Sequence, residues 1–275
     1  MGKRLLELFA YRELLANLVI RDLKLRYKNS ALGFLWSLVN PLLMMLVFTV
    51  VFQFLRPDNR IHHFPVFALC AILPWNFFSS SLSRSVNSVV GNAHLLKKVY
   101  FPREVLPISV VTSGLVNFLL ALLVLFGMLH IFGIGLTKWV LYLPLVILAQ
   151  FFLALGWALV LSTLNVFYRD TSIIMGVLLQ AWFFLTPVMY PIDLLPTSHQ
   201  VMGITLPVQR LMYILNPMAS IIASYRTLLY GSINGAPPGP PAWDFFSRTV
   251  VTCLVFLLLG YAIFTHYSPR FGEEV

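Results

Sequence analysis

Six long apolar stretches dominate this sequence, and the segments between them hold most of its charges. A helix needs about 20 apolar residues to cross the hydrocarbon core of a bilayer. Charged residues make up only 11% of the chain, too few to cover the surface of a soluble domain. We therefore predict an all-α integral membrane protein, with a single domain over residues 1–275 and six transmembrane helices. The predicted spans are residues 32–55, 64–90, 105–132, 139–167, 171–190 and 245–265.

The Lys and Arg residues are unevenly distributed between the two sides of these spans. If both termini lie in the cytoplasm, 12 of these residues lie on the cytoplasmic side and six lie outside. The cytoplasmic loops of membrane proteins carry such an excess. The sequence thus predicts a multi-pass membrane protein with both termini in the cytoplasm. The same placement explains the net charge of +9 without a nucleic-acid partner.

Residues 1–30 are predicted to form a cytoplasmic helix at the membrane interface. Its apolar side chains recur at helical spacing, at Tyr11, Leu14, Leu15 and Leu18. Its basic side suits anionic lipid headgroups. Arg and Lys there can also bind a diphosphate through charge-assisted hydrogen bonds where a substrate reaches the membrane. The candidates for this second role are Arg21, Lys24, Arg26 and Lys28. The charges are equally consistent with a simple topology anchor.

The second predicted span is unusually polar in its second half. Ser80, Arg84 and Asn87 share one face at helical spacing, and a charged arginine facing lipid would cost at least about 3 kcal/mol. This face therefore contacts protein or water, either through close helix packing or as the lining of a channel, and both can hold if the channel lies between two copies of the chain. Aromatic rings can stack on sugar rings and so line a channel, although interfacial anchoring and core packing are commoner roles. The aromatic candidates are Trp75, Phe78, Phe183 and Tyr190.

Residues 91–104 form a basic and aromatic connection on the predicted cytoplasmic side. A short helix of this composition can dock into a groove of a partner protein. By topology alone, it can equally be a positively charged loop. Its candidate contact residues are His94, Lys97, Lys98, Tyr100, Phe101, Arg103 and Glu104.

Residues 194–231, between the fifth and sixth spans, contain two short apolar segments. Residues 209–215 and 218–230 are each too short to cross a bilayer, and Asn216-Pro217 separates them. One interpretation is a short re-entrant helix pair that dips into the membrane and returns, with its backbone shielded by protein. The other is a pair of amphipathic helices that lie on the outer leaflet.

Several functional motifs are missing from the sequence. It has no G-x-x-x-x-G-K-[ST] phosphate-binding loop, so the chain is not expected to hydrolyse ATP. The six predicted spans hold no Asp or Glu, which argues against a proton- or sodium-coupled secondary transporter. No metal site is predicted, because the adjacent His62-His63 pair alone does not make one. A membrane enzyme acting on lipid-linked sugars would need catalytic carboxylates, for which Asp170 and Glu104 are the candidates.

Five segments of the sequence form a recognisable series. The first runs from RDLKLRYK at residues 21–28 through GFLW at 33–36 to Asn40-Pro41-Leu42. The others are LLKKVYFPREVLP at 95–107, VFYRDT at 166–171, TPVMYP at 186–191 and LNPM at 215–218. In this order, and over nearly the whole chain, they resemble the type-2 ABC transporter permeases that export O-antigen, capsule and teichoic acid.

The resemblance implies a transport subunit rather than an enzyme. Two copies of such a permease assemble with two copies of a separate ATPase, which binds ATP and Mg²⁺, so the permease itself holds no cofactor. The 91–104 connection corresponds to the family's coupling helix, and the N-terminal helix corresponds to its interface helix near the substrate gate. Residues 194–231 correspond to helices that close the pore on the outer side, with Asn216, Pro217, Tyr225 and Arg226 as candidate gate residues. The implied cargo is a lipid-linked polysaccharide, which passes between two copies surrounded by membrane lipids, along the first, second and fifth spans.

Overall fold

The computed structural model describes residues 10–28, 30, 32–55, 61–98, 100–192, 195–196, 199–201 and 204–274. Within these residues the chain is helical apart from one short hairpin, in which β1 (His199–Val201) pairs antiparallel with β2 (Ile204–Leu206). The prediction of an all-α protein missed this hairpin. Residues 1–9 of the predicted interface helix lie outside the described residues. The helices are α1 (Arg12–Tyr27), α2 (Trp36–Leu55), α3 (Phe64–Val86), α4 (Ala93–Lys98), α5 (Val105–Ile131), α6 (Leu143–Phe167), α7 (Thr171–Leu185), α8 (Val208–Leu215), α9 (Pro217–Leu229), α10 (Trp243–Tyr267) and α11 (Phe271–Glu274).

Among the described residues, four helical segments are long and apolar enough to cross a membrane. They are α3, α5, Lys138–Phe167, which joins a 3₁₀ turn to α6, and Trp243–Glu274, which joins α10 to α11. These segments confirm four of the six apolar stretches as membrane-length helices. In the other two stretches, residues 32–55 and 171–190, the shorter apolar helical segments are Trp36–Val51, within α2, and Thr171–Leu185, which is α7.

The fifth predicted span is shorter than expected because α7 ends at Leu185. Thr186 has an extended backbone, with φ −99° and ψ 136°. It precedes Pro187, whose ring disfavours helical geometry at the preceding residue. With 15 residues, α7 is about 22 Å long, whereas the hydrocarbon core of a bilayer is about 30 Å thick.

Helix α3 lies at the centre of the bundle, where it packs against α2, α5, α6, α7 and α9. Seventeen of its 23 residues are buried. Ser81 and Ser85 are among them, with no exposed surface. A membrane helix can hold many serines when protein surrounds it, because small polar side chains allow close helix packing. The helix ends at Val86, four residues before the predicted end of this span, and a 3₁₀ turn over Val90–Asn92 leads into α4.

Helices α6 and α10 approach each other closely at two glycines. A Cβ atom at Gly260 would lie 2.3 Å from the carbonyl oxygen of Gly156. A Cβ atom at Gly156 would lie 2.6 Å from the carbonyl oxygen of Phe256. Helices in membranes associate largely through such close contacts between small residues. This contact therefore holds α10, which is otherwise mostly exposed, against the bundle.

Helix α9 lies inside the bundle, with 11 of its 13 residues buried. The Tyr225 hydroxyl donates a hydrogen bond to Gln150 Oε1 on α6 over 2.8 Å. Gln150 Nε2 in turn donates to the carbonyl oxygen of Pro74 on α3 over 2.7 Å. Three helices are thus joined by one buried polar chain. The sequence left two interpretations of this region, a re-entrant helix pair and two helices that lie on the outer leaflet. A helix lying on a membrane surface does not fit α9, because α9 is buried inside the bundle. Helix α8, in contrast, contains no buried residue.

Candidate transport and coupling site

Helix α1 packs against the protein with its apolar stripe. Leu18 is buried in a small cluster with Phe101, Val105 and Leu106, and the other residues of the stripe pack around this cluster. The spacing of these side chains in the sequence therefore identified the packed face of the helix. This contact joins α1 to the segment that connects α4 with α5.

The basic side of α1 lines an open groove of about 550 Å³, together with Asn17, Ile20 and Leu25. We call it the basic groove, and it includes three of the four predicted diphosphate ligands, Arg21, Lys24 and Lys28. Arg21 is also tied to its surroundings, because it contacts the Asp22 carboxylate at 3.2 Å and donates to Asn92 Oδ1 at 3.2 Å. Lys24 and Lys28 are exposed.

Arg26, the fourth predicted ligand, lines a different space. This cavity of about 370 Å³ lies between α2, α3 and α5, and we call it the three-helix cavity. Its lining includes Ser80, one of the predicted channel residues. Residues that the sequence assigned to separate roles are thereby brought to one site. Its other polar lining residues are Ser37, Asn40, Asn76 and Asn117.

The predicted partner-binding segment divides into an outward-facing and an inward-facing part. His94, Lys97, Lys98 and Tyr100 are exposed, and the Tyr100 side chain is 91% exposed. Phe101 and Glu104 are buried, at 7% and 5% exposure, so a direct contact with a partner does not fit them. Arg103 Nη1 donates to the carbonyl oxygen of Ser268, which joins the segment to the chain after α10. The helix itself covers only Ala93–Lys98 of the predicted 91–104.

Arg84 and Asn87, two of the predicted channel residues, make contacts between helices of the same chain. Arg84 Nη2 donates to the Val110 carbonyl oxygen at 3.1 Å and to Ser113 Oγ at 3.0 Å, both on α5. Asn87 is exposed, and its Oδ1 accepts a hydrogen bond from Asn165 Nδ2 at 3.1 Å. The Arg84 side chain therefore contacts protein rather than lipid, as expected because a charge that faces lipid is costly.

Aromatic rings of α3 and α7 form a packed cluster. The Trp182 ring lies 5.2 Å from Phe78 and 6.5 Å from Trp75, measured between ring centroids. Phe78 has no exposed surface and Trp75 is 5% exposed. Channel lining does not fit these two residues, because their neighbours in the same chain already cover them. Phe183 and Tyr190 are partly exposed.

Arg226 joins α9 to the segment that follows α7. Its Nη1 donates to the Pro187 carbonyl oxygen at 2.7 Å, and its Nη2 donates to that of Val188 at 2.6 Å. The guanidinium carbon lies 3.7 Å from the centroid of the Phe67 ring. A buried charge needs such partners, and here backbone dipoles and an aromatic face provide them. A third backbone acceptor is the carbonyl oxygen of Tyr190.

The start of α9 is joined to the end of α7 by a second set of hydrogen bonds. Asn216 Oδ1 accepts from Trp182 Nε1 at 3.1 Å, and Asn216 Nδ2 donates to Thr186 Oγ1 at 2.8 Å. Pro217 follows as the first residue of α9. The four predicted gate residues therefore lie on one buried element, and three of them form hydrogen bonds through their side chains. Sequence reasoning missed the partners Gln150, Trp182 and Thr186, although an isolated glutamine in an apolar stretch was a usable signal.

A pocket of about 360 Å³ lies at the opposite end of the bundle from α4. It is formed where the connections before α3, after α5 and after α9 meet, and its lining includes His62, His63 and Tyr230. The Tyr230 hydroxyl donates to the carbonyl oxygen of His62. Burial, and secondly the neighbouring His62, lower the pKa of His63 below its usual value of 6.5.

A bundle of apolar helices with a buried α9 and an exposed basic helix at one end defines a multi-pass membrane protein. The chain belongs to the ABC-2 type transporter family, whose sequence model matches residues 13–230.

Several curated relatives match over almost their whole length. The chain is 39% identical over 269 residues to the O-antigen export system permease protein RfbA of Myxococcus xanthus, which covers 98% of each chain. It is 31% identical over 265 residues to the protein of the same name from Klebsiella pneumoniae, with 95% and 94% covered. It is 25% identical over 267 residues to the capsule polysaccharide export inner-membrane protein CtrC of Neisseria meningitidis serogroup B, with 94% and 92% covered.

Proposed function

We propose that this chain is the permease subunit of an ATP-driven exporter that moves a lipid-linked polysaccharide outward across the bacterial inner membrane. The observation that supports this most strongly is the match to an O-antigen export permease over 98% of both chains. Because the match leaves almost no residues of either chain unpaired, the two proteins share one architecture. A capsule polysaccharide exporter is matched over 94% of this chain, which supports the same class of cargo.

In the proposed topology, six helices cross the membrane and both termini lie in the cytoplasm. Four of these helices are the membrane-length segments, and α2 and α7 are the other two. The α8–α9 pair enters the membrane from the outer side and returns. The burial of α9 supports this arrangement, because irregular backbone at membrane depth must be shielded by protein. The short α7 is compatible with this topology, because Arg226 on α9 donates hydrogen bonds to the backbone of the segment that follows Leu185.

The ATPase is proposed to dock on α4 and on Tyr100, shortly after the end of that helix. Lys97, Lys98 and Tyr100 are exposed at the end of the bundle where α1 also lies, and they offer charge and an aromatic side chain. Motion of this segment would reach α5 directly and α1 through the Phe101–Leu18 cluster. ATP and Mg²⁺ would bind to the partner, and this chain would bind neither.

Two copies of the permease are proposed to assemble with two copies of the ATPase, with the channel between the permeases. Helix α7 supports this, because only Met175 and Leu179 are buried along its length. Residues of the channel wall would include Asn87, Phe183 and Tyr190, which keep exposed surface.

Deletion of the gene in its host tests the proposed function. We expect surface polysaccharide to disappear and lipid-linked polymer to accumulate on the cytoplasmic side, and expression of this chain to restore export. Normal surface polysaccharide after deletion would refute the proposal. Uptake driven by an ion gradient, by this chain alone in liposomes, would instead establish a secondary transporter. Turnover of lipid-linked sugars that is lost in Asp170→Asn or Glu104→Gln would establish an enzyme.

The docking surface is tested by Lys97→Glu combined with Lys98→Glu. Reversing two exposed charges should reduce copurification of the ATPase and reduce export, while the permease still inserts. The matched control is Arg248→Glu, which reverses a charge at the start of α10, far from α4 in the chain. Full ATPase binding by the double variant would exclude α4 as the docking site.

A further inference from the structure

The three-helix cavity extends from the start of α2 towards the middle of the bundle. Trp36 and Asn40 lie in the first turns of α2, whereas Asn76 and Asn117 lie near the middle of α3 and α5. The volume of about 370 Å³ falls within the range of small-molecule binding sites. Gly114 belongs to the lining, and a Cβ atom there would lie 2.6 Å from Ser81 Oγ, so the absence of a side chain lets α3 and α5 pack closely at the cavity wall.

The walls of this cavity combine aromatic rings with amide groups. The rings of Phe77 and Phe118 are stacked, with centroids 5.3 Å apart and an interplanar angle of 13°. Asn40, Asn76 and Asn117 contribute amides from three different helices. Amides at membrane depth are costly unless they find hydrogen-bond partners, so an acyl chain is a poor match for this space. A sugar ring matches it, because it has apolar faces for the rings and hydroxyl groups for the amides.

Two of these amides keep unused hydrogen-bonding capacity among the described residues. The hydrogen bond of Asn76 there runs from Nδ2 to Met44 Sδ at 3.5 Å, and a thioether is a weak acceptor. The side chain of Asn40 is exposed and lines the cavity, and its amide forms no hydrogen bond with another described residue. Asn117 differs, because its Nδ2 donates to the Ser113 carbonyl oxygen at 2.8 Å. Asn40 and Asn76 can therefore each donate to and accept from a bound molecule.

Arg26 adds a positive charge to the same cavity. It is the one Lys or Arg among the described lining residues, whereas Arg21, Lys24 and Lys28 line the basic groove. A guanidinium group can form two parallel hydrogen bonds with a phosphate and remains charged at any physiological pH. The cavity thus presents a phosphate ligand at one end and sugar ligands further in.

We propose that the three-helix cavity binds the phosphate group and the first sugar of a glycan that is linked to its lipid through a diphosphate. This inference rests on the proposed function, because it assigns a site to the head of the exported substrate. Arg26 binds the phosphate, and Asn40 and Asn76 bind hydroxyl or acetamido groups of the first sugar. The stacked Phe77 and Phe118 rings form the apolar wall beside it.

Binding of water-soluble short-chain analogues to the purified permease in nanodiscs tests the proposal. The probes are geranyl diphosphate carrying N-acetylglucosamine, geranyl diphosphate without sugar, and phosphatidylglycerol as a source of lipid phosphate. Asn76→Leu should weaken binding of the sugar-bearing probe about tenfold, since a lost hydrogen bond in a desolvated site has about that effect. It should leave geranyl diphosphate unaffected. Arg26→Gln should weaken both diphosphates about tenfold or more.

One control variant separates this site from general effects on the membrane or on folding. Ser83→Leu replaces an exposed polar residue of α3 outside the cavity and should bind all probes as the unchanged protein does. Lys28→Gln removes a predicted diphosphate ligand from the basic groove, so comparing it with Arg26→Gln shows which of the two sites holds the phosphate. If the three-helix cavity holds it, Lys28→Gln should weaken diphosphate binding much less than Arg26→Gln does. If Asn76→Leu is not recovered as folded protein, Asn40→Leu at the exposed position provides the same test.

Equal binding of the sugar-bearing and sugar-free diphosphates by the unchanged protein would overturn the sugar assignment. Equal binding of phosphatidylglycerol would show a lipid-headgroup site instead. A full effect of Lys28→Gln with none of Arg26→Gln would move the phosphate site to the basic groove and refute the proposal. Each of these results leaves the proposed function intact if gene deletion still abolishes export. Normal export after deletion would refute the proposed function itself, whatever the probes do.

Discussion

Replacement of Gly260 by alanine should destabilise the bundle through a single methyl group. The new Cβ atom would lie 2.3 Å from the Gly156 carbonyl oxygen and 3.1 Å from the Gly156 Cα atom. Ordinary van der Waals contact begins at 3.4 Å. Because the nearest atoms belong to the backbone of α6, no side-chain rotation can relieve the clash. The two helices must therefore separate by about 1 Å along this contact, the difference between those distances.

The cost of this separation follows from the packing that it removes. A gap of 0.5–1 Å forfeits about a quarter to a half of the dispersion energy between the separated atoms. Overpacking by one methyl group costs about 1–3 kcal/mol. Alanine also favours the helix over glycine by about 0.5–1 kcal/mol, which offsets part of this loss. A net loss of about 1 kcal/mol remains, or about 2–4 °C in Tm for a chain of this size.

Thermal unfolding in detergent, followed by size-exclusion chromatography of the remaining folded protein, measures this shift. The matched control is Gly127→Ala on α5, where an added Cβ atom has no neighbour within 4 Å. Its Tm should stay unchanged or rise slightly, because only the helix preference of alanine acts. Gly156→Ala should lower the Tm by a similar amount, because its Cβ atom would lie 2.6 Å from the Phe256 carbonyl oxygen. Equal Tm values for Gly260→Ala and Gly127→Ala would refute the close contact between α6 and α10.

Three further predictions concern polar groups. In a double-mutant cycle that measures stability, Tyr225→Phe and Gln150→Leu should show a coupling energy of about 0.6–1.7 kcal/mol. This is the range measured for hydrogen bonds between membrane helices. Independent effects of the two substitutions would contradict the hydrogen bond. Arg226→Met should sharply reduce the yield of monodisperse protein, because it removes the donor to three backbone carbonyl oxygens, and a normal yield would argue against this role. The fold lowers the pKa of His63 below 6.5, so the folded state favours the neutral imidazole. The stability of the protein should therefore fall as the pH drops below 6.5, because the unfolded chain then binds the additional proton. Tm measurements across this pH range should show a weaker pH dependence for His63→Gln.

The sequence predicted those parts of the fold that depend on local apolar length. Residues 105–132 and 139–167 were predicted to within a few residues, because long apolar runs have few alternatives in a bilayer. The stripe that ends at Leu18 was also identified, since its helical spacing is a local property. The end of α7 could have been predicted from Pro187, which disfavours a helical Thr186.

Contacts between distant residues could not be predicted in the same way. The face that contains Arg84 was consistent with a channel, a helix contact or both, and nothing local in the sequence indicates that Arg84 binds Ser113 on α5. Likewise, nothing local pairs Tyr225 with Gln150, which is 75 residues earlier. The aromatic residue Phe78 was assigned to a channel because its ring suits a sugar, yet the same ring packs equally well against Trp182.

The buried hydrogen bonds of α9 restrict how this permease can move. Arg226 and Asn216 attach α9 to the segment around Thr186 by hydrogen bonds that are shielded from water, and breaking them would leave a charge and several backbone groups unpaired. Gln150 ties the same helix to α3 and α6. Moving α9 away from the rest of its own chain would therefore cost too much free energy to open a path for the substrate, even if the motion begins at α4. We expect α3, α6, α7 and α9 to move as one body, so that the outer end of the channel opens between two copies of the chain rather than within one.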